Sequence, residues 1–242
     1  MEYWEFGVLG IHNPKCSTLT PYFSLLEELR DIPGNILELG VAKGSSLITT
    51  GLILQELDSE KSVIGIDTFS GFPELSSEDM PEAFHGLRQR GLITESHYLK
   101  VLHNWELVKL RGDKISPSNI STSQDFSSTS LDFVEKRIQS FKLSNRVRIH
   151  QANIVDFLDS QLKDETFSLV LLDVDLYLGY SKSLDFVFDK LTEKGVIYLD
   201  EYYSLKFPGP RLAVNEFIDR QPQAKLEQLP NWLDFERWII RK

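Results

Sequence analysis

Leu169-Val170-Leu171-Leu172-Asp173-Val174-Asp175-Leu176-Tyr177-Leu178-Gly179-Tyr180 is the stretch on which the reading of this chain turns. Four apolar residues in a row, 169–172, show no polar-out alternation. They predict a parallel strand buried on both faces and closed by a carboxylate, Asp173. Asp175 follows two residues on. About one helix further along, Gly195-Val196-Ile197-Tyr198-Leu199-Asp200-Glu201-Tyr202-Tyr203 repeats the pattern, an apolar strand ended by two acids. Open α/β sheets bind ligands beyond the carboxyl ends of their strands, so the chemistry is expected there. Any one of these acids, taken singly, also reads as a helix cap. The set reads differently, because ionised carboxylates about 4 Å apart repel by ~4 kcal/mol per pair at an effective dielectric of about 20 unless a proton or a cation intervenes.

Upstream, Ile36-Leu37-Glu38-Leu39 predicts a short buried strand, Gly40-Val41-Ala42-Lys43-Gly44 a tight turn, and Ser45-Ser46-Leu47 the start of a helix running to about Leu57. Strand, glycine turn and helix together bring a ligand against unpaired N–H groups at a helix N-terminus, which makes Gly40, Gly44, Ser45 and Ser46 candidate cofactor contacts. The two glycines lie four apart with none between them, so the turn is neither the dinucleotide GxGxxG nor a phosphate loop. Glu38 is placed to accept a hydrogen bond from a ligand amine; a plain strand-to-helix turn is the simpler alternative. Residues 62–66 predict a second strand ending in Asp67, a carboxylate suited to a ribose diol or to capping the next turn through Thr68 or Ser70. Residues 69–75 should form a loop over the ligand. A third strand, 146–150, precedes Asn153 and Asp156, which in such a sheet lie near an adenine; a cap role for Asp156 is equally open.

The remaining chain completes a layered α/β pattern. Residues 1–18, with Trp4 and Phe6, read as an irregular arm covering the site or a neighbouring subunit, and 18–30 as a helix entered through Pro21. Residues 76–91 are helix-compatible but broken, and His85 there has no evident partner. Residues 92–129 lack clear periodicity and include the serine-rich 119–130, so with their flank they define a lid or substrate-recognition insertion at about 72–129. Helices are expected at 131–141, 181–191 and 211–218, and an edge hairpin at 225–228 and 235–240, joined through Leu229-Pro230-Asn231. The sum is one domain over 1–242, a mostly parallel sheet of about seven strands flanked by helices.

Composition narrows the partners. The chain has 242 residues, 41% of them hydrophobic, and a formal charge of -10 from 36 acidic and 26 basic residues. That balance argues against a broad nucleic-acid or membrane surface, while leaving room for an anionic small ligand held by backbone N–H groups. Cys16 is the one cysteine, so neither an internal disulfide nor a cysteine metal site is available. The start, MEYWEFGVLG, lacks a basic region before an apolar core, and no run reaches the ~20 apolar residues of a membrane span; a cytoplasmic location is expected.

Several stretches together resemble the macrocin O-methyltransferase (TylF-like) family: ILELGVAKGSS, VIGIDTFSGFPE, LLDVDLY, KLTEKGVIYLDEY, PRLAVNEF and the ending WIIRK. The resemblance covers most of residues 20–242 and fails mainly across 92–129. It implies a Rossmann-like class I methyltransferase fold, S-adenosylmethionine as cofactor, and a divalent metal used to methylate a hydroxyl of a sugar or related acceptor. It assigns Asp173, Asp200 and Glu201 to the metal and makes Asp175 the general base. Two departures stand out: the family's Asp-Asp-Tyr is Asp200-Glu201-Tyr202 here, and Ala152 and Phe157 replace its glycine and threonine after the third strand. An all-oxygen ligand set favours Mg²⁺, Mn²⁺ or Ca²⁺ over zinc. The competing expectations are a nicotinamide-dependent oxidoreductase, against which the missing middle glycine counts, and a non-catalytic binding protein that keeps the fold.

Overall fold

The computed structural model describes residues 1–154, 157 and 162–242. The strands β1 (Asn35–Leu39), β2 (Val63–Asp67), β3 (Val147–Gln151), β4 (Phe167–Leu172), β5 (Leu191–Leu199), β6 (Lys225–Trp232) and β7 (Phe235–Arg241) make one sheet, ordered β3-β2-β1-β4-β5-β7-β6. β1 to β5 run parallel, whereas β7 is antiparallel to both β5 and β6. Among the described residues the α-helices include α1 (Tyr3–Leu9), α2 (Thr20–Glu28), α3 (Ser45–Glu56), α4 (Ala83–Gln89), α5 (Glu95–Leu110), α6 (Leu131–Ser140), α7 (Tyr177–Lys190) and α8 (Gly209–Arg220). No helix among the described residues is long and apolar enough to cross a membrane.

Every residue of β4 is buried, as its unbroken apolar run requires. Leu169 and Leu171 enter the core beneath α2, α3 and α6, while Val170 and Leu172 enter the core beneath α7 and α8. Each such side chain contributes about 1.5–3 kcal/mol by leaving water, so the centre of the sheet is the most strongly held part of the fold. The chain turns from β1 outward to β2 and β3, then returns to place β4 on the other side of β1. That reversal opens a crevice over the carboxyl ends of β1 and β4.

Four details differ from the sequence expectation. Residues 3–9 are helical rather than irregular, with Glu2 and Glu5 closing a capping box and Gly10 ending the helix at φ 62°. The region 92–129 contains α5, capped by Thr94, whose hydroxyl accepts the His97 N–H at 3.1 Å. Of its buried residues, Tyr98 and Val101 serve one apolar cluster and Val108 another, which blurs the single-face period that a sequence scan detects. The hairpin turns at Leu233-Asp234, both at positive φ, instead of at Leu229-Pro230-Asn231. Pro230 is accommodated at a register break in β6, an edge strand that can spare an N–H. Finally, α7 begins one turn earlier than expected, at Tyr177.

Candidate active site

Gly40 ends β1 at φ 88° and donates its N–H to the Ile66 carbonyl at 3.0 Å. A Cβ at this position would collide with the Asp173 carbonyl oxygen, so only glycine lets the ends of β1 and β4 meet. Gly44, at φ 74°, caps α3 and packs on Val134. Asp67 closes the same turn from β2: its Oδ2 accepts the N–H groups of Val41 and Ala42, each at 2.8 Å, and its Oδ1 accepts that of Phe69 at 2.7 Å. A carboxylate has about four acceptor positions, so one remains for a ribose hydroxyl. The acid therefore shapes the turn in addition to facing the crevice.

Glu38 is fully buried beneath this turn. Ser46 donates to its Oε1 at 2.6 Å, while Oε2 has no partner among the described residues. Burial pushes its carboxyl up to about 8, against the opposing pull of the Ser46 hydroxyl. Ser45 instead donates to the Gly10 carbonyl at 2.7 Å, docking the N-terminal arm on the start of α3, and Arg137 fastens the same arm through the carbonyls of Leu9 and Gly10.

At the ends of β4 and β5, Asp173, Asp175 and Glu201 bring their carboxylate oxygens within 4.8 Å of one another. Burial, then Asp200, then Asp175 push the Asp173 carboxyl well above its ordinary range. Burial and the charges of Asp173 and Asp200 do the same to Glu201. Asp175 is raised to about 7 by burial and by Asp200, with Lys206 opposing. It sits at φ 58° in a γ-turn closed by the Leu176 N–H on the Val174 carbonyl, a conformation that costs a non-glycine residue about 1–3 kcal/mol. Asp79 secures the next residue by accepting the Tyr177 N–H at 2.7 Å. Asp200 lies outside the tight trio yet acts electrostatically on all three of its members.

Two adjoining cavities meet this acid group. One, about 290 Å³, is lined by Gly40, Asp67, Asn153, Ile154, Asp173 and Asp175 among others. The second, about 360 Å³, is lined by His12, Ser45, Ser46, Gln124, Ser128 and Asp173 among others. Gly40, Ala42, Phe126 and Asp173 border both. Of the sequence candidates, Gly40, Ser45, Ser46, Asp67, Asn153, Asp173 and Asp175 line a cavity, whereas Glu38, Gly44, Asp200 and Glu201 are not among the lining residues. Asp156 falls outside the described residues.

Several contributors went unread in the sequence. Tyr180 places its hydroxyl 2.9 Å from Glu201 Oε2 and 2.8 Å from the Leu172 carbonyl, and accepts the Glu201 N–H at 3.1 Å. Its position one helical turn into α7 was a usable signal. His12 reaches the second cavity from the arm, fixed by Thr49, which accepts its N–H at 3.1 Å. Phe126, at φ 61°, is held over both cavities by Phe72, whose N–H donates to the Asp125 carbonyl at 3.0 Å. His85, without an evident partner in sequence, lies within hydrogen-bond distance of the Tyr98 hydroxyl.

A glycine turn after the first strand, an acid after the second, and acids after the fourth and fifth of a sheet in this order define the Rossmann-like class I methyltransferase fold. The chain belongs to the methyltransferase-domain family, whose model matches residues 37–202. Mycinamicin III 3''-O-methyltransferase of Micromonospora griseorubida is 28% identical over 203 residues, covering 79% of this chain and 63% of that protein. The match thus spans less than two thirds of that relative's length. Among solved structures, the calicheamicin methyltransferase CalS11 superposes with a TM-score of 0.64 at 18% identity, covering 92% of this chain and 77% of that one. The O-methyltransferase NovP gives 0.60 at 18% identity, with coverage of 91% and 80%. An O-methyltransferase from Bacillus cereus in complex with S-adenosylhomocysteine gives 0.53 at 15% identity, with coverage of 98% and 86%. These similarities agree with the resemblance drawn from the sequence, and the family implies S-adenosylmethionine as methyl donor.

Proposed function

We propose that this chain is an S-adenosylmethionine-dependent O-methyltransferase that uses a divalent cation, Mg²⁺ or otherwise Mn²⁺ or Ca²⁺, to methylate a hydroxyl of a sugar or related natural-product acceptor. The observation that carries this reading is the gathering of Asp173, Asp175 and Glu201 within 4.8 Å, with Asp173 and Asp175 lining a cavity that Gly40 and Asp67 also line. Their donor atoms suit a hard cation, being oxygen throughout. Three ionised carboxylates at this spacing, Glu201 buried and the two aspartates half-buried, repel by ~3 kcal/mol per pair at an effective dielectric of about 20, which a divalent ion would offset. Asp173 and Glu201 would hold the ion, with Asp200 beside them. A cation bound there supplies positive charge that lowers the pKa of an acceptor hydroxyl.

The chain's own residues supply the rest. The turn 40–46 and Asp67 seat the cofactor, and Asp175, in the same cavity wall, faces the reacting centre. As the acceptor oxygen attacks the methyl carbon, the C–S bond of the sulfonium breaks to leave the thioether, and Asp175 takes the hydroxyl proton. Residues 92–129, together with the arm, cover the site and exclude water from it. The sugar-type acceptor is supported by the curated relative, which is named for methylating mycinamicin III. Titration with S-adenosylhomocysteine and assay of methyl transfer to a panel of sugar diols, before and after chelation, tests the proposal. Cofactor binding that survives chelation, with transfer lost and then restored by Mg²⁺, is the expected result. Full transfer by the chelated protein would overturn the cation's role, and absence of cofactor binding would overturn the methyltransferase reading.

A further inference from the structure

Arg237, in β7, is only 5% exposed, and its guanidinium makes neither a hydrogen bond nor an ion pair among the described residues. The Phe235 ring centroid lies 5.4 Å from the guanidinium carbon. A ring engages the face of a guanidinium and leaves its in-plane N–H donors unused, which is the geometry that carboxylate and phosphate groups recognise. The Arg237 Nε–H is buried without an acceptor among the described residues, a cost that a bound anion would offset. The fully buried Tyr198 hydroxyl, also without a partner, is electrostatically coupled to both Arg237 and Asp200.

The sheet register locates this donor. Leu199 of β5 pairs with Trp238 of antiparallel β7, so the next residues along each strand, Asp200 and Arg237, stand side by side at the sheet end. Arg237 and Ile239 share a strand face, and Ile239 packs in the same core as Tyr198. The N-terminal arm closes over the hairpin nearby, where the Trp232 indole donates to the Ser17 carbonyl at 2.7 Å. β7 stands three strand spacings from β1, roughly 14 Å, too far to hold the carboxylate of a cofactor seated on the turn after β1. It stands one and two spacings, roughly 5 and 10 Å, from the strands that carry Glu201 and Asp173.

We propose that Arg237 is an anion-binding residue on the acceptor side of the acid group, receiving a carboxylate or phosphate that the acceptor carries about one sugar ring away from the hydroxyl to be methylated. Such a donor offsets the repulsion that Asp173, Asp175, Asp200 and Glu201 exert on an anionic acceptor. The name acceptor rests on the methyltransferase reading; the existence of the anion subsite does not.

Thermal unfolding with S-adenosylhomocysteine present, at ionic strength held constant with chloride, separates the two. Inorganic phosphate or acetate is expected to raise the melting temperature of the wild type, the responding anion identifying which group the acceptor bears. Arg237→Met should lose that response and, without either anion, melt about 2–4 °C above the wild type, because a buried donor without an acceptor has been removed. Arg237→Lys should keep the response to phosphate in part and that to acetate hardly at all, lacking the planar fork. A methionine variant that melts below the wild type without anion, while the lysine variant does not, would show that Arg237 serves Asp200 and overturn the proposal. An anion response undiminished in both variants would overturn it as well. Binding of S-adenosylhomocysteine by the wild type and both variants is measured in parallel: its loss from the wild type strikes the methyltransferase reading and leaves the anion result standing.

Discussion

Asp67 and the group Asp173, Asp175 and Glu201 are acids at strand ends of one crevice, and their surroundings are opposite. Three backbone N–H groups point at Asp67, from Val41, Ala42 and Phe69. The other three acids lie within 4.8 Å of one another, and burial together with neighbouring carboxylates, Asp200 in every case, raises all three carboxyls. The first arrangement is complete in the folded chain, because oriented amide dipoles supply the positive end that a carboxylate needs. The second is complete only with a proton or a cation. On the function proposed above, the cofactor half of the crevice is organised by the fold, and the acceptor half by what binds to it.

Removing charge from the incomplete half should have the largest effect. Asp173→Asn is expected to abolish Mg²⁺ binding in calorimetry and turnover with it, since it removes a negative oxygen donor at nearly constant size. Asp175→Asn sharpens the contrast within the same group: Mg²⁺ and cofactor binding should persist while the rate falls by roughly 10² to 10⁴. Loss of the ion from Asp175→Asn would instead make Asp175 a ligand, as its membership of the tight trio allows.

Tyr180→Phe probes the support of that half. The hydroxyl touches Glu201 twice and the Leu172 carbonyl once, so its removal should weaken metal affinity or activity about 10- to 100-fold, as measured by Mg²⁺ dependence of the rate. On the complete side, Asp67→Asn keeps the size of the side chain and loses its charge. Cofactor affinity is expected to fall about tenfold, with a melting temperature lowered at the same time because the three N–H groups lose a charged acceptor. Unchanged affinity with lowered stability would confine Asp67 to holding the turn.

Glu38 offers the smallest and slowest-varying signal. Its carboxyl is raised to about 8 in the fold, above the 4.5 of a free glutamate, so between these values the folded chain binds more protons than the unfolded one. The resulting stability is fully present below the unfolded value and is lost as pH rises through the folded value. The melting temperature of the wild type should therefore decline from about pH 5 to about pH 8.5 relative to Glu38→Gln, which carries no such proton. Parallel profiles would mean that Glu38 stays ionised through contacts made in solution.

Local pattern determined the sheet. An apolar run without alternation at 169–172, a glycine pair four apart at 40 and 44, and acids placed directly after strands at 67, 173 and 200–201 are all visible within a few residues, because period and turn chemistry act over that range. The same locality explains what was missed. α5 divides its apolar residues between two clusters and so shows no single stripe, and Pro230 looked like a turn until β6 proved to be an edge strand. Tertiary structure alone decided that Tyr180 would grip Glu201, that Asp200 would stand outside the tight trio, and that His12 and Arg237, near opposite ends of the chain, would both come to the acid group's surroundings. Strand order and register set those meetings, and they arise from packing the whole sheet against its helices rather than from any short run of residues.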